Sequence, residues 1–121
     1  MLCEAASAWD WKTAVLDQSP DDPAARLAHK FVQGDFTKYE DVLNFGKQVD
    51  VLTIEIEKVN LEALIELEKM GKIVHPSPRG LAIIKDKALQ KQFFIDQGLP
   101  TVPQELFDSK ADVLKAIESG F

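Results

Sequence analysis

The sequence has 121 residues, 45% of them hydrophobic and 28% charged, which is about the length of one domain and enough for a real core. Its formal net charge of -6 and its lack of a lysine or arginine cluster argue against a nucleic-acid-binding surface. No apolar run is long enough to span a membrane and no signal-peptide pattern opens the chain, so we predict a soluble, cytoplasmic protein. The single cysteine, Cys3, is predicted to be a packed helix residue.

The first third of the sequence predicts a helix, a strand, a short helix and a second strand. We expect Trp9 and Trp11 to pack the first helix against a sheet. The first strand ends at Asp17, and an acid at this position can bind a ribose in dinucleotide-binding folds. No glycine-rich loop accompanies it, so a turn or cap role for Asp17 is favoured. These elements are predicted at 1–9, 12–16, 24–29 and 31–33.

Helix-start signals flank the strongest strand pattern. Residues 37–40 match a capping box with Thr37 as its first residue, Asn60 can cap a second helix, and Ser77 followed by Pro78 can begin a third. The residues predicted to face inward are Val42, Leu43, Phe45 and Val49 in the first of these helices, and Leu61, Leu64, Ile65 and Met70 in the second. With a strand at 72–75, the alternation predicts a parallel sheet with helices on both faces, whose first strand lies outside this sequence.

The stretch 50–59 is the pattern around which the predicted sheet is organised. It begins with a β-branched and aliphatic run, typical of a strand buried on both faces of a parallel sheet. From Thr53 onward apolar and polar residues alternate, so Glu55 and Glu57 would leave the sheet on one face. Ligands bind at the carboxyl ends of strands in open α/β sheets, which makes these glutamates candidates for binding one. A solvated strand end is the alternative.

The last third of the sequence predicts a second unit. Residues 81–97 are predicted to be mostly helical, and a further capped helix covers 109–120. The inward-facing residues of that last helix are predicted to be Val113, Leu114 and Ile117. The sequence contains no phosphate-binding loop, metal-ligand cluster or nucleophile elbow. Of the two histidines, His29 is predicted to lie at the surface, whereas His75 could line a cleft.

Four stretches, taken in order and spacing, resemble a known family. They are DVLTIEIEKVN at 50–60, HPSP at 75–78, IKDKALQKQF at 84–93 and GLPTVP at 98–103. The sequence resembles the 5-(carboxyamino)imidazole ribonucleotide synthases, which are ATP-grasp carboxylases of purine biosynthesis. The related formate-dependent glycinamide ribonucleotide transformylases have a similar Glu-Ile-Glu strand end, so that strand alone does not separate the two families.

This resemblance implies an α/β fold, namely a Rossmann-like pre-ATP-grasp domain over 1–84 without its first strand and phosphate loop. The beginning of an ATP-grasp domain would follow over 85–121. It also implies that Glu55 contacts the ribonucleotide and that Lys87 contacts a phosphate of ATP. No catalytic residue or metal ligand is assigned. A solvated helix lysine is the alternative for Lys87.

The function implied by the resemblance is ATP- and bicarbonate-dependent carboxylation of aminoimidazole ribonucleotide. ATP and Mg²⁺ would be bound mainly by parts outside this sequence, so we expect the 121 residues alone to be inactive and the complete enzyme to be a homodimer. Two alternatives remain open. One is the substrate domain of a related ATP-grasp enzyme such as the transformylase, and the other is a non-catalytic nucleotide-binding α/β module.

Overall fold

A computed structural model describes residues 2–120, which form two compact units. The first ends at Lys85 and the second begins at Asp86. The elements of the first unit are α1 (Leu2–Ala8), β1 (Ala14–Asp17), α2 (Pro23–Leu27), β2 (Lys30–Gln33), α3 (Tyr39–Gly46), β3 (Val51–Thr53), α4 (Leu61–Lys69), β4 (Ile73–His75) and α5 (Pro78–Lys85). Those of the second unit are α6 (Lys87–Asp96) and α7 (Lys110–Glu118). No helix between residues 2 and 120 is long and apolar enough to cross a membrane.

The strands of the first unit pair in parallel, as the alternation of helices and strands predicted. β1 pairs with β2 and β3 pairs with β4, each as a two-stranded sheet. Ala14 lies opposite Lys30 in the first pair, and Val51 lies opposite Ile73 in the second. Helices join the successive strands, as parallel pairing requires. The mixed α/β class with parallel sheets is therefore confirmed.

The core of the first unit lies where α3 and α4 pack on the β3–β4 pair. It consists of ten buried hydrophobic residues: Val42, Leu43, Phe45, Leu52, Val59, Ala63, Leu64, Leu67, Val74 and Leu81. The inward face predicted for α3 is confirmed for its three buried members, and Val49 packs against the core while partly exposed. The face predicted for α4 is partly wrong, since Ile65 is 38% and Met70 51% exposed. Ala63 and Leu67 are buried there instead, because the buried stripe follows the i, i+1, i+4 spacing of one helix face.

Asn60 caps α4, as the sequence predicted. Its side-chain oxygen accepts a hydrogen bond from the backbone N–H of Ala63 at 2.9 Å, and its side-chain nitrogen donates to the carbonyl of Thr37 at 3.1 Å. Ser77 likewise accepts the backbone N–H of Gly80 at 3.2 Å at the start of α5. Both contacts satisfy N–H groups that have no partner within the helix.

Replacing Asn60 with alanine should therefore destabilise the first unit. We expect Asn60→Ala to lower the free energy of unfolding by about 1 kcal/mol, because the Ala63 N–H loses its cap and the Thr37 carbonyl loses its donor. Urea denaturation would measure the change. Asn60→Asp is the matched control, since aspartate retains the capping oxygen and should recover the part of the loss that comes from the cap, but not the hydrogen bond to the Thr37 carbonyl. Equal destabilisation by both changes would contradict the capping role.

The capping box predicted at residues 37–40 is wrong. Lys38 occupies the N-cap position of α3 and makes no side-chain cap. The hydroxyl and backbone N–H of Thr37 both donate to the Asp35 carboxylate, at 2.6 and 2.9 Å. Asp35 thus draws the Thr37 side chain into a local turn, and Thr37 cannot also cap the helix.

Several aromatic and aliphatic residues predicted to be packed are exposed. Trp9 and Trp11 are 76% and 68% exposed, so the prediction that they pack the first helix against a sheet is wrong. In α7, the three residues predicted to face inward are 38–60% exposed. The short second unit has no buried residue on either of its helices, so these side chains have no core to enter.

The strand predicted at the organising stretch is shorter than its pattern. β3 covers only Val51–Thr53, and the chain leaves the sheet before Glu55. Within β3, Leu52 is buried whereas Val51 is 53% exposed, so this strand is covered on one face only. The predicted burial on both faces is therefore wrong, and Glu55 belongs to the loop that follows the strand.

Candidate functional site

A cavity of about 720 Å³ lies at the carboxyl ends of β1 and β3. Its lining residues are Asp17, Gln18, Ser19, Asp22, Pro23, Ala24, Phe36, Glu55 and Ile56. Asp17 is the last residue of β1, and Glu55 follows the last residue of β3 by two positions. The fold thus brings together two carboxylates that are 38 positions apart (55 minus 17) in the sequence. Carboxyl ends of parallel strands are where α/β sheets bind ligands.

The Asp17 side of the cavity is held by the turn that follows β1. The Asp17 carbonyl accepts the backbone N–H of Gly34 at 3.0 Å, which continues the pairing with β2. Its carboxylate accepts the backbone N–H of Gln18 at 2.8 Å. This second bond is a turn contact, as predicted, and it leaves the other carboxylate oxygen without a hydrogen bond to any residue in the described range.

Gln18 is fixed in turn by two neighbours. Its side-chain nitrogen donates to Asp35 at 3.3 Å, and its carbonyl accepts from the side chain of Gln33 at 3.1 Å.

The hydroxyl and backbone N–H of Thr37, followed by the Gln18 contact and the Lys38 charge, lower the pKa of Asp35. Because the folded-state pKa is depressed, this contribution to stability is present at neutral pH and is lost as the pH falls through that pKa.

Glu55 differs from Glu57 in its surroundings. Glu55 lines the cavity, and Glu57 does not. The position of Glu55 is fixed through its backbone neighbour, because the N–H of Ile54 donates to the carbonyl of His75 at 3.1 Å. The Glu55 carboxylate is exposed and makes no hydrogen bond or ion pair with any residue between 2 and 120. It is therefore available to accept hydrogen bonds from a ligand.

Sequence reasoning did not identify the remainder of the cavity wall. Phe36 and Ile56 supply apolar surface, and Ser19 and Asp22 come from the turn after β1. The available signal was the run of turn-forming residues directly after a strand, which in a parallel sheet lies at the ligand-binding edge. His75, at the end of β4, does not line this cavity, but it lines a larger open groove of about 1740 Å³ in the first unit. His29 accepts the backbone N–H of Thr13 at 3.1 Å in an exposed contact.

Lys87 belongs to the second unit and begins α6. Its ammonium group donates to the side-chain oxygen of Gln90 at 3.2 Å in an exposed contact. The carboxylate of Asp86 caps the helix and accepts the N–H groups of Ala88 and Leu89 at 2.8 and 3.1 Å. Lys87 therefore lies at the positive end of the helix dipole, where a cation is unfavourable and an anion is favoured.

Among the described residues, no group of three or more His, Cys, Asp or Glu side chains could hold a metal ion. The three carboxylates that line the cavity, Asp17, Asp22 and Glu55, are not such a group, so the residues between 2 and 120 do not fit a Mg²⁺ site built from protein ligands alone.

A parallel α/β unit with carboxylates around a cavity at the carboxyl ends of its strands defines a Rossmann-like ligand-binding domain. The ribonucleotide synthetase preATP-grasp domain model matches residues 1–85. The chain belongs to this family.

The chain is also similar to individual enzymes. It is 36% identical over 120 residues to the phosphoribosylaminoimidazole carboxylase of Candida glabrata, covering 95% of this chain and 21% of that protein. The structure of N5-carboxyaminoimidazole ribonucleotide synthetase from Thermotoga maritima matches with a TM-score of 0.86 at 29% identity, over 94% of this chain and 32% of that one.

A third match has bound ligands. The structure of N5-carboxyaminoimidazole synthase from Aspergillus clavatus in complex with ADP and 5-aminoimidazole ribonucleotide matches with a TM-score of 0.85 at 29% identity, over 98% of this chain and 32% of that one. The chain thus spans between a fifth and a third of the length of these relatives. These three matches support the family resemblance found in the sequence.

Proposed function

We propose that this chain is part of an ATP- and bicarbonate-dependent ligase that carboxylates 5-aminoimidazole ribonucleotide in purine biosynthesis. One observation carries the proposal. The chain matches, over nearly its whole length, a synthase whose structure contains ADP and 5-aminoimidazole ribonucleotide. A soluble, cytoplasmic homodimer is the assembly we expect of the complete enzyme.

Glu55 is the residue that we propose for binding the ribonucleotide. Its carboxylate lines the cavity at the strand ends and has no partner among residues 2–120. An ionised carboxylate accepts hydrogen bonds only, so it suits the exocyclic amine or the ribose hydroxyls of the substrate. The apolar surfaces of Phe36 and Ile56 line the same cavity and suit the face of an imidazole ring.

Lys87 is the residue that we propose for binding a phosphate of ATP. The family resemblance at residues 84–93 and the exposure of its side chain support this role, whereas the N-terminus of α6 is already capped by the Asp86 carboxylate. The weak exposed contact with Gln90 can be released without exposing a buried group. When bound, ATP would supply the phosphoryl group that activates bicarbonate. For Mg²⁺, we propose ligands from ATP and from residues outside those described.

The proposal is tested by substrate-dependent phosphate release from the full-length protein in which this sequence occurs. We expect ATP hydrolysis that requires both 5-aminoimidazole ribonucleotide and bicarbonate. Glycinamide ribonucleotide with formate is the matched pair that tests the transformylase alternative. Hydrolysis stimulated by that pair instead would reject the carboxylase, and nucleotide binding without hydrolysis under either condition would favour the non-catalytic module.

Lys87→Ala in the same full-length protein should raise the Michaelis constant for ATP by about tenfold, which corresponds to ~1.4 kcal/mol for one lost phosphate contact. The constant for the ribonucleotide should stay nearly unchanged. Kinetics with each substrate varied separately would measure both.

The control for this change is Lys110→Ala, at the first residue of α7, whose ammonium group makes no hydrogen bond or ion pair with any residue from 2 to 120. Lys91 is a poor control because its ammonium group donates to the Thr101 hydroxyl at 2.8 Å in a partly buried contact. If Lys87→Ala leaves both the constant for ATP and the turnover number unchanged, Lys87 is a solvated surface residue.

A further inference from the structure

The loop that carries Glu55 is anchored at both of its ends but not at Glu55 itself. It covers residues 54–60, between the end of β3 and the start of α4. The Glu55 carboxylate makes no hydrogen bond or ion pair with any residue between 2 and 120. The position of this carboxylate in the cavity therefore depends on the contacts that hold the loop on either side of it.

The two ends of the loop are held by backbone hydrogen bonds. The N–H of Ile54 donates to the carbonyl of His75 at 3.1 Å, and the N–H of Asn60 donates to the carbonyl of Phe36 at 2.8 Å. The residues between these ends, 55–58, are all exposed, so no burial of their side chains fixes the backbone there. A further contact is needed to hold this exposed part of the loop in one conformation.

Val59 connects the exposed part of the loop to the rest of the first unit. Its side chain is buried in the core. Its N–H donates to the carbonyl of Ile56 at 3.3 Å, which closes a four-residue turn over 56–59. Its carbonyl accepts a hydrogen bond from the Lys85 ammonium group at 2.9 Å in a partly buried contact. Because Ile56 directly follows Glu55 and lines the same cavity, the turn that Lys85 holds begins at the cavity wall.

Lys85 extends from an element that is itself well anchored. It is the last residue of α5, and Pro78 and Leu81 of that helix are buried. A lysine in the last turn is favoured by the helix dipole. Lys85 forms no ion pair with any residue from 2 to 120, so its ammonium group is not drawn away from the Val59 carbonyl. A hydrogen bond from a charged donor is stronger than one between neutral groups, which suits it to holding a loop.

We propose that Lys85 is a positioning residue for ribonucleotide binding, an inference that rests on the proposed contact between Glu55 and the ribonucleotide. Through Val59 and the turn at 56–59, Lys85 holds the loop in the conformation in which Glu55 lines the cavity. Lys85 does not line the cavity itself. Without its contact the loop populates other conformations, and a ligand that binds one conformation loses affinity in proportion to the population lost.

Lys85→Met in the full-length protein tests this role, because methionine removes the donor and keeps most of the side-chain length. Calorimetric titration should show binding of 5-aminoimidazole ribonucleotide weakened about three- to tenfold, as expected if the competent loop conformation falls to between about a third and a tenth of the population. The Michaelis constant for ATP should stay nearly unchanged. Lys85→Arg keeps an N–H donor and should recover most of the affinity.

The matched control is Lys72→Met. The Lys72 ammonium group makes the same kind of contact, since it donates to the carbonyls of Val49 and Lys47 at 2.7 and 3.0 Å. Both carbonyls precede β3, at the opposite end of the strand from Glu55. Lys72→Met should lower stability to urea but leave ribonucleotide affinity within about twofold of the parent. Equal losses of affinity in Lys72→Met and Lys85→Met would mean that general destabilisation causes both, and would overturn the proposal.

A double variant, Glu55→Gln with Lys85→Met, shows whether Lys85 acts through Glu55. Changes that act on one interaction are not additive, so the double variant should bind the ribonucleotide no more than about twofold more weakly than Glu55→Gln alone. If the two losses multiply, or if Lys85→Met binds like the parent while Glu55→Gln does not, the role of Lys85 is wrong and that of Glu55 stands. If Glu55→Gln itself binds like the parent, the proposed contact of Glu55 fails and the role of Lys85 fails with it.

Discussion

Leu64→Ala is expected to lower the free energy of unfolding of the first unit by about 2–5 kcal/mol. Leu64 is 0% exposed and lies on the face of α4 that packs in the core, so the change removes buried methyl groups and leaves a cavity. Domains are stable by only about 5–15 kcal/mol in total, so a loss of this size is a large fraction of the margin. Urea denaturation with comparison of the midpoint and the slope would measure it.

The matched control is Ile65→Ala, at the next residue of the same helix. Ile65 is 38% exposed and is not part of the buried core, so we expect a loss of no more than about 1 kcal/mol. Both changes have similar effects on helix propensity, so the difference between them measures burial. A larger effect at Ile65 than at Leu64 would mean that α4 presents a different face to the core.

The buried face of α4 shows what sequence reasoning could reach and what it could not. Asn60 was recognisable as the cap, and apolar periodicity correctly gave Leu64. The periodicity did not single out Leu67, whose burial depends on α3. An added Cβ at Gly46 of α3 would lie 2.2 Å from Cδ1 of Leu67, so glycine leaves the space that the Leu67 side chain fills. A contact between two helices of this kind leaves no periodic signal in either one.

The early end of β3 also depends on residues that are distant in the sequence. The alternating pattern continues to residue 59, but β4 ends at His75 because Ser77 caps α5 two residues later. Without a partner strand, β3 cannot continue. The segment after it is held by other contacts: the carbonyl of Val59 accepts the Lys85 ammonium group at 2.9 Å, and the N–H of Asn60 donates to the carbonyl of Phe36 at 2.8 Å. Because of these contacts, the residues after Thr53 do not continue the strand, although they continue its alternating sequence pattern.

The candidate site could be predicted from the sequence only in part. A carboxylate beyond a central strand indicated the ligand-binding edge, and Glu55 lies there. The alternation placed Glu57 on the same face, but the loop geometry removes Glu57 from the cavity. The role of Asp17 was open in the sequence, and the fold now places it in the same cavity wall. Which carboxylates meet depends on how the strands are arranged in space, which periodicity does not encode.

Glu55→Gln in the full-length protein is expected to weaken ribonucleotide binding ten- to a hundredfold, or roughly 1.5–3 kcal/mol. Glutamine is nearly the same size as glutamate, but it is neutral and replaces one acceptor oxygen with a donor, which would oppose the substrate's own N–H and O–H groups. Folding should be little affected, since the carboxylate is exposed and has no partner among residues 2–120. Calorimetric titration with 5-aminoimidazole ribonucleotide would measure affinity, and denaturant unfolding would check stability.

Glu57→Gln makes the same chemical change two residues away, at a carboxylate outside the cavity lining, and should leave ribonucleotide affinity within about twofold of the parent. A long-range charge effect would change affinity in both variants alike, because both lose one negative charge in the same loop. A loss confined to Glu55→Gln therefore reports a direct contact. If Glu55→Gln binds the ribonucleotide like the parent, or if both variants lose affinity equally, the cavity at the strand ends is not the place where Glu55 meets the substrate.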